Sequence, residues 1–192
     1  MQENNSTIME FTALLARNLK AARQARGWTL EAFAETSGVS RAMISKIERG
    51  EVSPTAVTLG RLAAGLGVSL ASLFSAASRA TGPLSRAADQ PAWTDPATGY
   101  VRRNLSPPGL STEIVDVTFP PGASVTFDNP WRGRALEQQV TVLEGELEMS
   151  AGDEVFHLAA GDCLHMRLDR PTGFRNPTSR PVRYLVVIHP AS

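Results

Sequence analysis

The segment of residues 29–48, TLEAFAETSGVSRAMISKIE, constrains the fold strongly because it has the pattern of a helix, a tight turn and a second helix. Thr29 and Ser40 are helix N-cap residues, whose hydroxyls accept backbone N–H groups that a first helical turn leaves without partners. Gly38 stands where the first helix must end, since glycine readily adopts the left-handed conformation of a C-terminal cap. Val39 follows as an apolar residue that can be buried beneath the turn. The spacing predicts two short helices that meet at a steep angle.

The second of these helices is predicted to have an apolar inner face and a polar outer face. Ile44 and Ile47 are three residues apart and therefore point inward together. The outer face is small, basic and rich in hydrogen-bond donors, which suits a helix that reads base edges and phosphates in the major groove. We predict contacts with duplex DNA from Thr29, Ser40, Arg41, Ala42, Ser45, Lys46 and Arg49.

Apolar residues at helical spacing continue on both sides of this segment. One stripe lies within residues 15–22, and another lies within residues 59–66, after the cap-and-proline pair Ser53-Pro54. With a last turn around Leu70 and Phe74, the pattern predicts a bundle of five helices within residues 11–75. The runs GVSRAMISKIERGEVSPT and LGRLAAGLGVS closely resemble the phage-repressor-like (XRE) helix-turn-helix family, which implies that the helix beginning at Ser40 is the recognition helix.

The same resemblance assigns further roles. It implies that Glu48 is a buried acid paired with Arg23 of the first helix. One position departs from the family pattern, because Leu30 stands where the family often places a Gln that reaches DNA. Contacts from that helix then depend on Thr29, whose hydroxyl can bond a phosphate. A plain helical bundle with a solvated basic face is the alternative, but such a bundle needs neither the Gly-Val-Ser turn nor small residues on the outer face of its third helix.

The charge of the chain is divided unevenly along its length. The formal net charge of the 192 residues is zero, but residues 1–80 carry nine Lys or Arg against six Asp or Glu, and residues 81–192 carry ten against thirteen. The basic part contains the predicted DNA motif, as attraction to phosphates requires. No apolar run approaches the length of a membrane span, and the first residues do not have the pattern of a secretory signal. Together with a lone Cys163, expected to be a small core residue, these features predict a cytoplasmic protein without membrane partners.

Two segments lack hydrophobic periodicity. Residues 76–92 are mostly small and polar, which predicts an interdomain linker, and residues 1–10 predict a disordered tail. The predicted domains are therefore a helix-turn-helix DNA-binding domain at 11–75 and an effector-binding domain at 93–192.

Beyond the linker the hydrophobic period changes from helical to two. STEIVDVTFPPG, EQQVTVLEGELEM, VFHLAAGDCLHMRL and PVRYLVVIHP are strand-like runs separated by turn residues, which predicts an antiparallel barrel or sandwich. This part resembles the cupin family, whose fold is a small double-sheet jelly roll. The resemblance rests on Pro121-Gly122, on Gln138, Val140, Val142, Leu143 and Gly145, on Gly161-Asp162, and on Pro171, Phe174 and Asn176. The expected fold class is two-domain α + β, with a five-helix bundle followed by an antiparallel cupin jelly-roll barrel.

The residues that hold a metal in many cupins are not found at the matching positions. In the metal-binding members, two His and one Glu come from the first motif and a third His comes from the second. Here Gln138 stands at the Glu position, residues 129–134 contain no His, and Thr172 stands at the second-motif position. An amide and a hydroxyl are poor ligands for a divalent transition ion. We therefore expect no metal and no cofactor.

The mouth of the barrel still offers groups that could recognise a small molecule. An aromatic wall, basic groups and neutral hydrogen-bonding groups are expected there. If Gln138 points inward, strand alternation puts Val140 and Val142 on the same face. The candidate effector-binding residues are Trp131, Arg134, Gln138, Thr172, Arg175 and Asn176.

These patterns favour one function over two others. We expect a sequence-specific transcriptional regulator, a homodimer that binds a duplex DNA operator and whose barrel senses a small-molecule effector. One alternative is a cupin enzyme, an isomerase or dioxygenase, with a DNA-binding appendage, although the missing metal ligands argue against catalysis. The other is a DNA-binding protein whose barrel only dimerises, which no residue excludes.

Overall fold

The computed structural model describes residues 2–74, 82–107, 109–129 and 135–191, with side chains described from residue 12 onward except at Ala71. Its N-terminal part contains four α-helices: α1 (Gln2–Ala25), α2 (Leu30–Ser37), α3 (Arg41–Glu48) and α4 (Ala56–Leu66). Two short 3-10 turns follow, at Ala71–Leu73 and Ala87–Asp89. None of the helices in the described part of the chain combines the length and the apolar character that a membrane span requires.

Two features of the helical part differ from the prediction. The expected fifth helix is only the 3-10 turn Ala71–Leu73, so the description as a five-helix bundle is wrong. Only a few residues separate the left-handed cap Gly67 from the end of this turn at Leu73. A segment of that length is too short to nucleate a stable α-helix. Residues 2–10 of the predicted disordered tail belong to α1, which begins at Gln2, since extending an existing helix requires no new nucleus. Residue 1 lies outside the described residues.

The described residues of the C-terminal part form ten strands. Their bounds are β1 Ala92–Thr94, β2 Val101–Asn104, β3 Glu113–Phe119, β4 Ser124–Phe127, β5 Leu136–Glu144, β6 Glu146–Ala151, β7 Glu154–Ala159, β8 Cys163–Arg167, β9 Thr172–Arg175 and β10 Val182–Pro190. One sheet has the order β1-β2-β3-β10-β5-β8, and the other has the order β4-β9-β6-β7. All strand pairs are antiparallel.

The antiparallel double sheet agrees with the prediction, but the barrel is not closed. Within the described residues the two sheets share no hydrogen-bonded strand pair, so they pack face to face as a sandwich with open edges. Along β10 the buried residues Val182, Tyr184, Val186 and Ile188 alternate with more exposed ones and point between the sheets. Cys163, expected in the core, is exposed at the start of β8.

The helical part and the double sheet are packed against each other in one continuous hydrophobic core. Phe74 stacks on Trp93 of β1 with ring centroids 5.8 Å apart. Gly60 of α4 lies directly over Phe127, and an added Cβ there would be 2.8 Å from a ring carbon. Of the predicted linker 76–92, residues 76–81 lie outside the described residues, and residue 92 already belongs to β1. The contact between the two domains is therefore made by α4 and the turn after it.

Candidate DNA-binding surface and ligand cavity

The helix-turn-helix is fixed at both helix starts by the two predicted caps. The Thr29 hydroxyl accepts a hydrogen bond from the backbone N–H of Ala32 at 3.1 Å, and the Ser40 hydroxyl accepts one from Met43 at 3.2 Å. Between them Gly38 has a φ of 67°, the left-handed conformation that ends α2 and that side chains disfavour. Both hydroxyls are thus engaged in capping, with α3 held at a fixed angle to α2.

The outer face of α3 presents most of the residues predicted to contact DNA. Arg41, Ala42, Lys46 and Arg49 are exposed, and Ser45 is half-buried beside them. The inner face contributes the buried Ile44 and Ile47 to the core. Met43, which was not among the predicted DNA contacts, is 40% exposed on this helix. The sequence could have indicated this exposure, because Met43 lies between Ala42 and the inward Ile44, and such residues lie at the border of the two helix faces.

Two arginines on this surface are held by neighbouring acids. The Nε of Arg41 lies 2.5 Å from a carboxylate oxygen of Glu31 on α2. Arg49 donates two hydrogen bonds to Glu51, at 2.5 and 2.9 Å, and a third to the Ser45 hydroxyl. Glu51 has a pKa below its ordinary value, chiefly because of the hydrogen bond from Arg49. DNA phosphates would have to replace exposed carboxylates as partners of these guanidinium groups.

A buried ion pair anchors the end of α3 to α1. Arg23 donates to the two carboxylate oxygens of Glu48 at 2.7 and 2.8 Å and to the backbone oxygen of Trp28 at 2.6 Å. Only 11% of the Arg23 side chain and 6% of the Glu48 side chain is exposed. The hydrogen bond that Arg23 donates to Glu48 raises the pKa of Arg23 above its ordinary value. The pair that the family resemblance implied is therefore present, with the two-pronged geometry that favours arginine.

A cavity of about 90 Å³ lies between the two sheets, and α4 forms part of its wall. A water needs about 10–15 Å³ of such space, so the cavity has room for a compact ligand of several non-hydrogen atoms. Most of its lining is apolar or aromatic and comes from the sheets, but Gly60, Ala63 and Ala64 of α4 and Ser69 and Leu70 after it also contribute. The cavity therefore belongs to both domains.

The polar lining of the cavity includes two buried side chains with unused donors. Arg102 of β2 is 8% exposed and Gln138 of β5 is 4% exposed. Among the described residues, Nε and Nη2 of Arg102 and Nε2 of Gln138 have no hydrogen-bond partner. Thr172 is also buried in the lining, and its hydroxyl accepts a hydrogen bond from Asn129 at 2.9 Å.

Burial raises the pKa of three side chains near Arg102. It raises the pKa of Tyr100 to about 12, although the positive charge of Arg102 opposes the change. It also raises the pKa of Tyr184 well above the ordinary value. Burial likewise raises the pKa of Glu113, while a hydrogen bond from Ser69 and the charge of Arg102 act in the opposite direction. The two tyrosines are therefore neutral donors at neutral pH.

The predicted effector residues are only partly brought together. Gln138 and Thr172 line the cavity, whereas Trp131 and Arg134 lie outside the described residues. Arg175 is exposed and pairs with Glu148 at 3.2 Å, because it occupies an outward position of β9. Asn176 is fully buried, but it is used in a turn, donating to the backbone oxygens of Phe119 at 3.2 Å and Arg180 at 2.7 Å. The prediction that Arg175 and Asn176 line the pocket therefore differs from the structure.

Arg102 was missed because β2 was not recognised as a strand. The available signal was the pair Arg102-Arg103, since adjacent residues on a strand point to opposite faces and one of the two must face inward.

The side chains of the double sheet do not fit the metal that many cupins hold. No group of three His, Cys, Asp or Glu side chains in the described ranges is arranged to hold a metal ion. His157 and His165 are exposed and lie near Glu148 and Glu137, at 3.8 and 3.4 Å. His189 lies 3.0 Å from the backbone oxygen of Pro190. The cavity itself offers an amide and hydroxyls rather than imidazoles.

Comparison with known proteins agrees with this two-part architecture. The helix-turn-helix family matches residues 19–73, and the cupin domain family matches residues 115–188. The HTH-type transcriptional regulator SutR of Escherichia coli (strain K12) is 33% identical over 178 residues, which are 91% of this chain and 94% of SutR. The HTH-type transcriptional regulator PuuR of the same strain is 28% identical over 176 residues, 90% of this chain and 92% of PuuR.

A solved structure extends the similarity to the whole fold. The crystal structure of an HTH_3 family transcriptional regulator from Vibrio cholerae superposes with a TM-score of 0.78 at 26% identity, covering 96% of this chain and 99% of that one. A helical part followed by a double sheet therefore occurs in a known overall fold. The chain belongs to the helix-turn-helix transcriptional regulators that carry a cupin domain behind their DNA-binding domain.

Proposed function

We propose that this regulator binds its operator as a cytoplasmic homodimer and that a small molecule in the cavity changes its affinity for DNA. The observation that carries the proposal is the double role of α4. One side of this helix lines the cavity, and another side packs on α2, the helix that precedes the recognition helix. A ligand in the cavity is therefore separated from the DNA-binding motif by a single helix.

The contacts of α4 are close enough to transmit a displacement. Its Gly60 leaves no room for a side chain beside Phe127. Its Gly65 is equally tight against Ser37, where an added Cβ would be 2.9 Å from the Ser37 Cβ. Ser37 is the last residue of α2, and its hydroxyl accepts a hydrogen bond from Val39 in the turn. Movement of α4 by a ligand would thus reach the turn that orients α3, because packed interiors transmit strain.

DNA contacts would come from the outer face of α3. Arg41, Lys46 and Arg49 supply charge, Ser45 supplies a hydroxyl, and Ala42 and Met43 can contact thymine methyl groups. Thr29 and Ser40 at the helix starts are placed to add phosphate contacts. A single recognition helix reads few base pairs, so a useful specificity requires a two-fold dimer on half-sites about one helical turn apart.

The double sheet is the better candidate for the dimer contact. It presents open edges, and the edge strand β7 exposes the apolar Val155. The small helical domain, by contrast, uses α4 to cover the sheet. Light scattering and footprinting test this part, with a dimer on an inverted repeat as the expected result.

The experiment that tests the DNA-binding proposal begins with selection of the operator from a random duplex library. Affinity is then measured by fluorescence anisotropy for the parent and for Arg41→Ala and Lys46→Ala. Arg41→Ala should weaken operator binding by about 1–3 kcal/mol, and Lys46→Ala should weaken binding to all sequences and reduce the salt dependence. Arg180→Ala, which removes an equal charge from the exposed surface of the double sheet, serves as the control. Equal loss in all three variants would refute the assignment of α3 as the reading helix.

The two alternative functions predict other results. If the cupin part is an enzyme, purified protein should contain a stoichiometric metal, and chelation should abolish an activity. If it only dimerises, no small molecule should change operator affinity. We expect neither result, because the cavity lacks a metal-binding donor set and contains buried donors without partners.

A further inference from the structure

Two of the cavity-lining side chains have unused hydrogen-bonding capacity that the fold does not explain. Leaving a buried donor without a partner is costly, and burying a charge without a counter-charge costs more. Arg102 is buried although no carboxylate of the described residues lies within 4.0 Å of its guanidinium, as a salt bridge would require. Gln138 likewise has an unpartnered amide nitrogen. Buried groups of this kind are typical of sites prepared for a ligand.

The chemistry of these atoms restricts the ligand. Arg102 Nε, Arg102 Nη2 and Gln138 Nε2 are all donors, so each needs an acceptor. A guanidinium is matched by a carboxylate, and an amide nitrogen by a carbonyl, hydroxyl or second carboxylate oxygen. An amine would bring further donors and a positive charge next to Arg102.

The sheet register places the two groups at different levels of the cavity. Arg102 is opposite Val117, which is opposite Tyr184 on β10. Gln138 is opposite Ile188, four residues further along the same strand. Four residues of a strand span about 13 Å at the backbone, but both side chains line the same cavity of about 90 Å³, so a compact ligand there meets both of them. The inward side chains along this part of β10 are apolar or aromatic. A ligand that reaches both groups must therefore have acceptors at its two ends and an apolar middle.

We infer that the cavity binds a small organic carboxylate, with Arg102 holding the carboxylate and Gln138 donating to a second oxygen at the other end. This inference rests on the proposed sensor function and adds the class of its effector. The bound carboxylate supplies a partner within salt-bridge distance of Arg102, whose side chain is buried in a site lined in part by α4, where a charge-assisted pair is strong.

The test uses the full-length protein and four probes of similar size: butyrate, levulinate, butyramide and butylamine. Thermal shift and isothermal titration calorimetry are applied to the parent and to Arg102→Met, Arg102→Lys and Gln138→Leu. Arg103→Met is the matched control, because it removes the exposed arginine on the opposite face of the same strand. Arg102→Met keeps an apolar stem of similar length. It removes a buried charge that has no carboxylate within salt-bridge distance, but it also removes a hydrogen bond with Tyr100, so its ligand-free melting temperature should stay close to that of the parent.

The expected result is a rise in melting temperature with butyrate and levulinate, and none with butylamine, in the parent and in Arg103→Met. Arg102→Met should weaken carboxylate binding at least about tenfold, and Arg102→Lys should lie between the two. Gln138→Leu should weaken levulinate, which has a second oxygen, more than butyrate.

Three results would overturn the inference: no response to either carboxylate, carboxylate binding that is equal in Arg102→Met and the parent, or stabilisation by butylamine. If butylamine or butyramide alone stabilised the protein, the assigned ligand class would be wrong while the sensor function stood. If carboxylates bound as expected but left operator affinity unchanged, the sensor function would fail while the ligand assignment held.

Discussion

The start of α4 is held by a carboxylate that comes from the double sheet. Removing this carboxylate tests how strongly the two domains are joined. Asp95, directly after β1, is 1% exposed. One carboxylate oxygen accepts the backbone N–H of Ala56 at 2.9 Å, and the other accepts the backbone N–H and the hydroxyl of Thr98 at 3.0 and 2.6 Å. Ala56 is the first residue of α4 and is itself buried. Asp95→Ala therefore leaves a helix N-terminal donor in the interface without a partner.

The magnitude follows from these contacts. A hydrogen bond to a charged group contributes about 1.5–3 kcal/mol, and a negative charge at a helix N-terminus contributes about 0.3–1 kcal/mol more. Water can reach part of the Thr98 side of the site, so the loss there is smaller. We expect Asp95→Ala to lower the free energy of unfolding by about 3 kcal/mol. For a chain of this size, that corresponds to a fall of about 6–12 °C in melting temperature.

A second acidic contact between the domains supplies the control. Asp128 pairs with Arg61 of α4 at 3.2 Å, but both side chains are about half exposed. An exposed pair contributes only about 0–1 kcal/mol. Asp128→Ala should therefore melt within about 3 °C of the parent. Asp95→Asn should fall between the two variants, because its amide oxygen can still accept from Ala56 while its amide nitrogen faces a donor.

The assay is differential scanning calorimetry with far-ultraviolet circular dichroism, at one fixed protein concentration because the melting temperature of the proposed dimer would depend on concentration. If Asp95→Ala melted like Asp128→Ala, the buried carboxylate would not hold α4 against the sheet. Coupling between the cavity and the DNA-binding helices through α4 would then lack the strong interdomain contact that it requires.

Three further outcomes are expected. Glu48→Ala should lower the free energy of unfolding by about 3 kcal/mol, because it leaves Arg23 buried without its carboxylate; a melting curve by circular dichroism like that of the parent would contradict this. Burial raises the pKa of Glu113 above its ordinary value near 4.5, so stability should fall as the pH rises from about 4.5 through the raised pKa; Glu113→Gln should remove that slope in urea titrations at several pH values. Glu31→Gln should tighten operator binding severalfold at low salt by freeing Arg41, with the gain shrinking as salt increases, and unchanged anisotropy curves would show that this pair does not compete with DNA.

The DNA-binding motif could be predicted from the sequence because its signals are local. The caps Thr29 and Ser40, the left-handed Gly38 and the inward Ile44 and Ile47 each act within a few residues, and the structure has them as expected. The four longest strand patterns were equally visible, since alternation of period two is also a local signal.

The cavity was harder to predict because its lining comes from distant segments. The short strand β2 was missed, and with it Arg102, because four residues give little periodicity. Arg175 was expected to supply a basic group at the mouth of the barrel, but its position in β9 directs its side chain outward. The part of α4 that lines the cavity contains Gly60 and Ala64. Small residues in a helix give no sequence signal for such a contact, because the contact depends on the position of the neighbouring sheet.

The placement of α4 changes where this chain can be divided. In the sequence the boundary lies in the run of small and polar residues after the helical part, and a fusion made there would keep all the helices with the DNA-binding module. In three dimensions, however, α4 lines the cavity with Gly60, and the N–H of its first residue donates a hydrogen bond to Asp95. A new sensor domain fused at the linker would therefore pack against an α4 surface whose shape fits the original sheet and not the new one. Exchange of specificity between such regulators requires the surface of α4 to be exchanged together with the sheet beneath it.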